Sequence, residues 1–291
     1  MKSLKILSPA KINLYLKITG RRSDGYHNLV TLFHRISLAD TLRLRRRPSG
    51  FSLKCSNPDL PLNEDNLITK AYRLLQERFP KIGGVSVYLK KQIPVGAGLG
   101  GGSSNAAFFL LGMKKLYGLK ISRPELLTIG SQLGADVPFF LWDVPQAIGT
   151  EKGDRLQPKP SKTRLKFALV VDNKGLATRE VYQNLPKNLP PASLTKITRE
   201  ITMLCAFLAQ HQVEKAGSLL QNDLELSAFK LRPSLRRIIE IFKKRGIPFA
   251  RLTGSGPTVF GIVSDIRDVK RRVEELRKDL LSSRILLCHS F

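Results

Sequence analysis

Five glycines lie within seven positions of one stretch, residues 94–104, which reads PVGAGLGGGSS. An apolar strand pattern precedes this stretch, and a helical pattern rich in Ala, Leu and Phe follows it. Glycine tolerates positive φ angles and lets a ligand approach the backbone closely. The first N–H groups of a helix have no partner inside the helix and attract anions. The stretch therefore predicts a phosphate-binding loop; the alternative, a flexible linker, should have polar or Gly/Ser-rich flanks.

Two well-known phosphate motifs do not fit this loop. A P-loop needs a lysine directly after its last glycine, and none follows these glycines. Gly96, Gly98 and Gly101 satisfy the spacing Gly-x-Gly-x-x-Gly. A dinucleotide site also needs an acidic residue at the end of a second strand about twenty residues later. Residues 122–125 (SRPE) occupy that place and predict the start of another helix instead.

Asp136 is a carboxylate inside an apolar run between Gly134 and Pro138. Aspartate is favoured at a helix N-cap, particularly with proline shortly after it. A carboxylate in apolar surroundings is also how a general base is built. Both interpretations stay open at this point.

Polar residues near the N-terminus form two further candidate groups. Residues 4–19 alternate as a strand on both sides of residues 8–11, and Lys11 and Asn13 share one face of it. A solvated strand face is the ordinary interpretation, although asparagine is depleted in strands. Tyr26 and His27 follow the hairpin signal at residues 24–25. On a loop they could stack on a substrate or simply pack, and both remain open.

The elements that position these candidate residues are predicted to be both strands and helices. The patterns predict strands at 33–38, 41–45, 51–55, 85–89, 165–171, 249–252, 258–263 and 285–288, and helices at 66–79, 101–116, 125–133, 193–209, 213–220, 235–245 and 269–281. Residues 157–163 (QPKPSKT) are the best linker candidate, which predicts a domain boundary nearby.

Composition narrows the class of protein. The 291 residues include 49 basic and 23 acidic ones, a net charge of +26 that favours nucleic acid or phosphorylated ligands as partners. The three cysteines are isolated, which argues against disulfides or a zinc site and for a reducing compartment. No apolar run approaches eighteen residues, so we expect a cytoplasmic protein without a membrane span.

Three motifs in order, at residues 9–14, 94–104 and 252–256, resemble the GHMP kinases. Residues 18–29 and 133–138 are similar to the branch of that family that phosphorylates the 2-hydroxyl of 4-(cytidine 5'-diphospho)-2-C-methyl-D-erythritol in non-mevalonate isoprenoid biosynthesis. The resemblance implies an α+β fold of two domains. Residues 1–157 would be similar to domain 2 of ribosomal protein S5, and residues 158–291 would form a ferredoxin-like domain.

The resemblance also implies site residues, with ATP and Mg²⁺ as cofactors and a small-molecule substrate. Lys11 and Asp136 would be the catalytic pair. The ATP site would comprise Asn66, Lys91, Pro94, Val95, Gly96, Ala97, Gly98, Leu99, Gly100, Gly101, Gly102, Ser103 and Ser104. The substrate would contact Asn13, Tyr26, His27, Thr178, Tyr182, Gly254, Ser255 and Gly256. The metal ligands stay unassigned, with Ser104 one candidate.

Two rival functions remain at this level. Another GHMP kinase, acting on mevalonate, homoserine or a sugar, would have no use for the aromatic residues Tyr26, His27 and Tyr182. A basic nucleic-acid-binding protein would use the charge but neither Asp136 nor the glycine loop. We therefore expect no specific nucleic acid and no membrane as partner, and a monomer or weak homodimer.

Overall fold

The computed structural model describes residues 2–159, 161, 164–186, 192–263 and 269–291, with side chains from 271 onward in the last segment. Its strands are β1 (Ser3–Arg21), β2 (His27–Arg47), β3 (Phe51–Cys55), β4 (Gly84–Lys90), β5 (Gln146–Thr150), β6 (Arg155–Lys159), β7 (Lys166–Val171), β8 (Gln221–Asn222), β9 (Ala250–Leu252), β10 (Thr258–Val263) and β11 (Arg284–His289). Its helices are α1 (Leu67–Arg78), α2 (Gly101–Tyr117), α3 (Arg123–Leu133), α4 (Val137–Trp142), α5 (Thr178–Gln183), α6 (Leu194–Ala209), α7 (Val213–Ser218), α8 (Glu225–Leu231), α9 (Ser234–Lys244) and α10 (Val269–Asp279). The mixture of strands and helices agrees with the predicted α+β class.

Two compact units are each assembled from separate parts of the chain. The first comprises Met1–Ala10, Leu38–Val95 and Gly100–Val144, and the second Lys11–Ser37, Gly96–Leu99 and Pro145–Phe291. Strands β1 and β2 therefore contribute residues to both units. The domain boundary after residue 157 stays a prediction.

The first unit is a sheet covered by helices. Its strands follow the order β3-β4-β2-β1, with β3 parallel and β2 antiparallel to β4. Helix α2 lies so close to this sheet that a Cβ at Gly112 would come within 2.4 Å of Leu44 Cδ1 and 2.7 Å of Ile6 Cδ1. Glycine at this position thus allows the helix that follows the glycine loop to pack directly on β1 and β2.

The second unit contains a four-stranded antiparallel sheet in the order β11-β7-β10-β9. Helix α9 packs on β9 and β10 through an apolar stripe that includes the buried Leu235, Ile238 and Phe242. The stripe recurs at helical spacing, which is why the sequence predicts this helix. The turn between β9 and β10 is the second glycine motif, residues 253–257.

His34 is a buried imidazole that joins β2 to the chain's C-terminal residues. Its Nδ1 lies 2.8 Å from Gln146 Nε2, and its Nε2 lies 2.9 Å from Ser290 Oγ. Burial lowers the pKa of His34 from 6.5 to about 3. The ring is therefore neutral in the folded protein over the whole neutral and mildly acidic range.

We expect the free energy of unfolding to fall as the pH is lowered from about 6.5 to about 3. In that window the unfolded chain binds a proton at His34 that the folded chain excludes, which costs up to about 1.4 kcal/mol per pH unit. Urea unfolding of the wild type and His34→Gln at several pH values tests this. The variant should be less stable at pH 7 and should lose this part of the pH dependence; an unchanged slope would show that His34 is not its source.

Several predicted elements need correction. The break at residues 8–11 is absent, because β1 runs through it with these residues buried. Residues 33–38 and 41–45 are parts of one strand, β2. Residues 157–159 of the predicted linker belong to β6 and pair with β5, while residues 160, 162 and 163 lie outside the described part of the chain. Strands β5, β6 and β8 and helices α5 and α8 were not predicted.

All three cysteines are unpaired thiols. No helix among the described residues has both the length and the apolar character needed to cross a membrane.

Candidate active site

The glycine loop takes the backbone conformation that its composition predicts. Gly96, Gly98 and Gly100 have φ angles of 65°, 71° and 68°, in the left-handed region. Gly100 is the N-cap of α2, and no side chain caps the first turn of this helix. A seventeen-residue helix thus begins with N–H groups that an anion can occupy.

Within the first unit, a buried carboxylate holds the segment before the glycine loop and the first turns of α2 together. Asp40 is fully buried, and its Oδ1 accepts from the backbone N–H groups of Gln92 and Ile93 at 2.7 and 2.9 Å. Its Oδ2 accepts from Lys91 Nζ at 2.5 Å and from Asn105 Nδ2 at 2.9 Å. Asp40 therefore ties the segment that enters the loop to the first turns of α2.

This network also defines what Lys91 does in the structure. Its ammonium group forms a buried ion pair with Asp40. It also lies 3.3 Å from where a Cβ of Gly101 would be, directly beside the helix start. A contact of Lys91 with adenine stays a prediction.

The Ser104 hydroxyl makes its hydrogen bonds to groups of the protein itself. Its hydroxyl donates to the carbonyl oxygen of Pro9 at 2.6 Å, lies 2.8 Å from Ser8 Oγ, and is fully buried. This arrangement speaks against Ser104 as a metal ligand. Ser103, in the same turn, is only half-buried.

Asn66 caps the neighbouring helix α1. Its Oδ1 accepts from the N–H of Ile68 at 2.9 Å, and its Nδ2 donates to Pro61 O at 2.8 Å. The side chain thus has a local structural function, and its predicted place near adenine remains untested.

In the second unit the two glycine segments touch each other. A Cβ at Gly98 would lie 2.5 Å from the carbonyl oxygen of Thr253 and 2.9 Å from that of Gly256. Such distances are shorter than real Cβ contacts. Two backbone turns that the sequence separates by about 155 residues therefore meet only because position 98 has no side chain.

Lys11 and Asn13 lie beside this contact. Both side chains are buried, and Lys11 Nζ donates to Asn13 Oδ1 at 2.8 Å. Asn13 Nδ2 in turn donates to Thr31 Oγ1 at 2.8 Å. A Cβ on Gly254 would lie 3.5 Å from Lys11 Nζ, so the ammonium group is directly next to the second glycine turn.

Sequence reasoning missed two residues that hold the second turn in place. Thr253 Oγ1 accepts from the backbone N–H of Asn13 at 3.1 Å. Asn222 Nδ2 donates to the carbonyl oxygens of Leu252 and Gly254, both at 2.8 Å. Thr253 lies in the motif at residues 252–256, but only the long-range pairing reveals what these two residues do.

Ser255 joins this cluster to Thr178, since their hydroxyl oxygens are 2.8 Å apart. Within the second unit the predicted residues Lys11, Asn13, Gly98, Thr178, Gly254, Ser255 and Gly256 are thereby connected through one set of contacts. A lysine, two amides and the backbone groups of two glycine turns suit a phosphate-bearing ligand.

His27 and Tyr182 form an aromatic pair in the same unit, with ring centroids 5.4 Å apart. Burial, followed by repulsion from Arg21, lowers the pKa of His27 below its usual value. His27 Nδ1 is buried and has no hydrogen-bond partner among the described residues. An unsatisfied buried polar atom is costly unless a ligand or water completes it.

Tyr26 is 63% exposed beside this pair, and the ammonium group of Lys152 lies 5.3 Å from its ring centroid. The packing interpretation of Tyr26 is therefore wrong, whereas the stacking interpretation stays a prediction. An open ring next to a half-buried imidazole with an unsatisfied Nδ1 offers a planar ligand both a face and an edge.

Asp136, in the first unit, stands at the N-cap position of α4, as one of the two interpretations predicts. Its φ and ψ of −83° and −14° are helical, and its side chain accepts no capping hydrogen bond. A capping hydrogen bond is therefore not the reason for an aspartate at position 136.

Among the residues that the structure describes, no three His, Cys, Asp or Glu side chains are grouped so that they could share a metal ion.

Comparison with known proteins gives two family matches. The GHMP kinases N terminal domain matches residues 66–143, and the GHMP kinases C terminal domain matches residues 205–280. These two matches confirm the predicted two-domain organisation of the α+β fold.

Individual relatives extend the match to nearly the whole chain. A protein of Syntrophus aciditrophicus (strain SB), named 4-diphosphocytidyl-2-C-methyl-D-erythritol kinase, is 41% identical over 262 residues, 89% of each chain. A crystal structure of 4-(cytidine 5'-diphospho)-2C-methyl-D-erythritol kinase is 32% identical with a TM-score of 0.81 and covers 98% of both chains. The structure titled "Crystal structure of L. major mevalonate kinase in complex with R-mevalonate" has a TM-score of 0.74 at 16% identity, with 99% of this chain and 95% of that one covered, so it shares the fold.

Proposed function

Because this chain belongs to the GHMP kinases and is an ATP-dependent small-molecule kinase, we propose that its acceptor is 4-(cytidine 5'-diphospho)-2-C-methyl-D-erythritol. The kinase transfers the γ-phosphoryl group of ATP to the 2-hydroxyl of this compound, a step of non-mevalonate isoprenoid biosynthesis. Two relatives that match 89% or more of the chain carry the name of this activity.

The observation that carries the choice of acceptor is the pair formed by His27 and Tyr182, with the buried, unsatisfied Nδ1 of His27. A neutral imidazole offers one donor and one acceptor, and the polar edge of cytosine offers both as well. Mevalonate and homoserine lack a planar ring to fill this place. The aromatic pair therefore favours a substrate that carries a nucleobase.

The loop of residues 94–104, which includes the start of α2, supplies the ATP phosphates with N–H donors. Phosphoryl transfer depends mainly on positioning and on neutralising charge, and the backbone of residues 96–104 is fixed for this by Asp40 and by the Gly98 contact. The charge neutralisation that Mg²⁺ supplies when it accompanies ATP would be needed at these phosphates. Ser103 is the first-turn hydroxyl that fits such an ion, since Ser104 is engaged by Pro9.

Asp136 and Lys11 carry out the chemistry in this proposal. Asp136 accepts the proton of the acceptor hydroxyl as general base. Lys11 stabilises negative charge on the transferring group, an effect that is strong in a site from which water is excluded. Support comes from the burial of Lys11, from its hydrogen bond to Asn13, and from the position of Asp136 at the start of α4.

A mass-spectrometric assay with ATP and Mg²⁺ tests the reaction, with the cytidine compound, mevalonate and homoserine as alternative acceptors. We expect one phosphate to be added to the cytidine compound alone, and NMR of the product to place it on the 2-hydroxyl. Turnover of mevalonate or homoserine instead would overturn the acceptor but retain the kinase. Phosphorylation at another hydroxyl would overturn the regiochemistry only.

Tyr26→Ala should raise KM for the cytidine substrate about tenfold, since stacking on an aromatic ring is worth roughly 1–3 kcal/mol per base. KM for ATP should not change. Tyr26→Phe keeps the ring and should behave like the wild type. Tyr88→Ala removes an exposed tyrosine of the first unit and serves as the matched control. Equal KM values for wild type and Tyr26→Ala would remove Tyr26 from the substrate site.

A specific nucleic-acid-binding function does not replace the kinase, since the family assignment covers both domains. The expected oligomeric state, a monomer or weak homodimer, and the expected cytoplasmic location stay predictions.

A further inference from the structure

One face of the first unit's sheet carries many cations. Along β2, Leu42 and Leu44 are buried, whereas Arg43, Arg45 and Arg47 alternate with them and are exposed. Leu44 approaches Gly112 of α2, so the arginines lie on the side of the sheet away from this helix.

Neighbouring strands continue this pattern. Lys5 of β1, Lys54 of β3 and Lys90 of β4 are exposed, and each alternates with inward-facing apolar residues. Of the described outward positions of these strands in the first unit, none is Asp or Glu. We call the six cations together with Tyr88 the basic sheet face: Lys5, Arg43, Arg45, Arg47, Lys54, Lys90 and Tyr88.

Tyr88 lies at the centre of the basic sheet face. It is 41% exposed, and its cross-strand partners are Arg43 on one side and Lys54 on the other. Adjacent strands are about 4.8 Å apart, so each cation flanks the tyrosine at one strand spacing. An open aromatic ring thus has a positive charge on either side along the same row.

The cations and the exposed ring together indicate one class of ligand. Six cations without carboxylates attract a polyanion, and an exposed ring between them provides a stacking surface for a base. Double-stranded DNA is read by elements that enter a groove, whereas a sheet surface suits unpaired bases. We propose that the basic sheet face binds single-stranded nucleic acid through its phosphates and through stacking on Tyr88, without strong sequence preference.

This binding is separate from the kinase reaction, because none of the seven residues belongs to the proposed ATP or substrate site. Nucleic acid is a suitable partner for a chain with a net charge of +26, a charge that phosphoryl transfer does not require. An acidic protein or an anionic lipid surface would satisfy the cations but would not need the ring of Tyr88.

Fluorescence anisotropy of the full chain with a labelled oligouridine, between about 50 and about 200 mM KCl, tests the proposal. Six phosphate contacts predict a slope of log K against log salt concentration near about −4, from about −0.7 per contact for single strands. The triple variant Lys5→Ala/Arg43→Ala/Lys54→Ala should reduce the slope by about 2 and weaken binding at least tenfold at the lower salt. The same oligonucleotide annealed to oligoadenosine should bind more weakly than the single strand.

Two sets of control variants distinguish binding at the basic sheet face from the effect of net charge and from the effect of misfolding. Arg237→Ala/Lys243→Ala/Lys244→Ala removes the same charge from exposed positions of α9 and should bind nearly as the wild type does. Tyr88→Ala should weaken binding about tenfold at unchanged salt slope, whereas Tyr88→Phe should retain it. All variants should keep the wild-type circular dichroism and ATP-dependent turnover.

The proposal is overturned if the α9 triple variant loses as much affinity as the sheet-face variant, since binding would then follow net charge alone. It is equally overturned if Tyr88→Ala binds like the wild type. Face-dependent binding to phosphatidylserine vesicles, or to a polyglutamate peptide, without binding to oligouridine would assign the basic sheet face to a different partner and refute a nucleic acid.

Discussion

We expect Asp136→Ala to lower kcat by about 10²–10⁴, the usual contribution of a positioned general base. The carboxylate stands at the N-cap position of α4. ATP affinity should stay near the wild-type value, because the phosphates bind at the loop of residues 94–104 in this proposal. Initial rates and a direct ATP-binding measurement test both statements.

Asp143→Asn is the matched control for this prediction. Asp143 ends the same helix with a φ of 55°, a conformation that asparagine tolerates, and its replacement should leave kcat within a few-fold. Asp136→Asn should resemble Asp136→Ala, because an amide keeps the shape but accepts no proton. A kcat within a few-fold of wild type for either Asp136 variant would disprove the general base.

The double variant Lys11→Ala/Asp136→Ala tests whether both residues act in the same step. Residues that act as a unit show strongly non-additive losses. We therefore expect the double variant to be scarcely slower than the worse single variant. Losses that multiply would mean that Lys11 contributes through a separate interaction, such as binding of ATP.

Local signals account for the elements that the sequence predicted well. Helix α3 begins with a complete capping box between Ser122 and Glu125, and Asn66 caps α1 through its own side chain. Strand β3 was predicted with the bounds it has, since its strand pattern is closed on both sides by turn residues. The φ angles of the glycine loop follow from composition in the same way.

Long-range contacts account for what the sequence could not predict. Residues 8–11 interrupt the sequence pattern of β1, yet the strand continues because Pro9 O accepts a hydrogen bond from the hydroxyl of Ser104 and the Lys11 N–H donates to Leu99 O. Thr253 looks like an ordinary turn residue, and only its bond to Asn13, 240 residues away in sequence, shows that it positions the site. No local periodicity records such pairings.

The same kind of contact gives position 98 its importance. We expect Gly98→Ala to lower kcat/KM by about 100-fold, the effect of a displacement of about 1 Å within a site. Its φ of 71° costs an alanine roughly 1–2 kcal/mol, and its Cβ would also meet the carbonyl oxygens of Thr253 and Gly256 at 2.5 and 2.9 Å. The two turns must therefore move apart, which displaces Gly254 from Lys11.

Gly118→Ala separates these two causes. Gly118 has a φ of 65°, but nothing lies within 4 Å of its added Cβ. Thermal unfolding should show a loss of roughly 1–2 kcal/mol for Gly118→Ala and a larger one for Gly98→Ala, while only Gly98→Ala should lose kcat/KM. If both variants lose activity equally, backbone strain alone explains the effect. If Gly98→Ala keeps full activity, the contact between the glycine turns does not position the reacting groups.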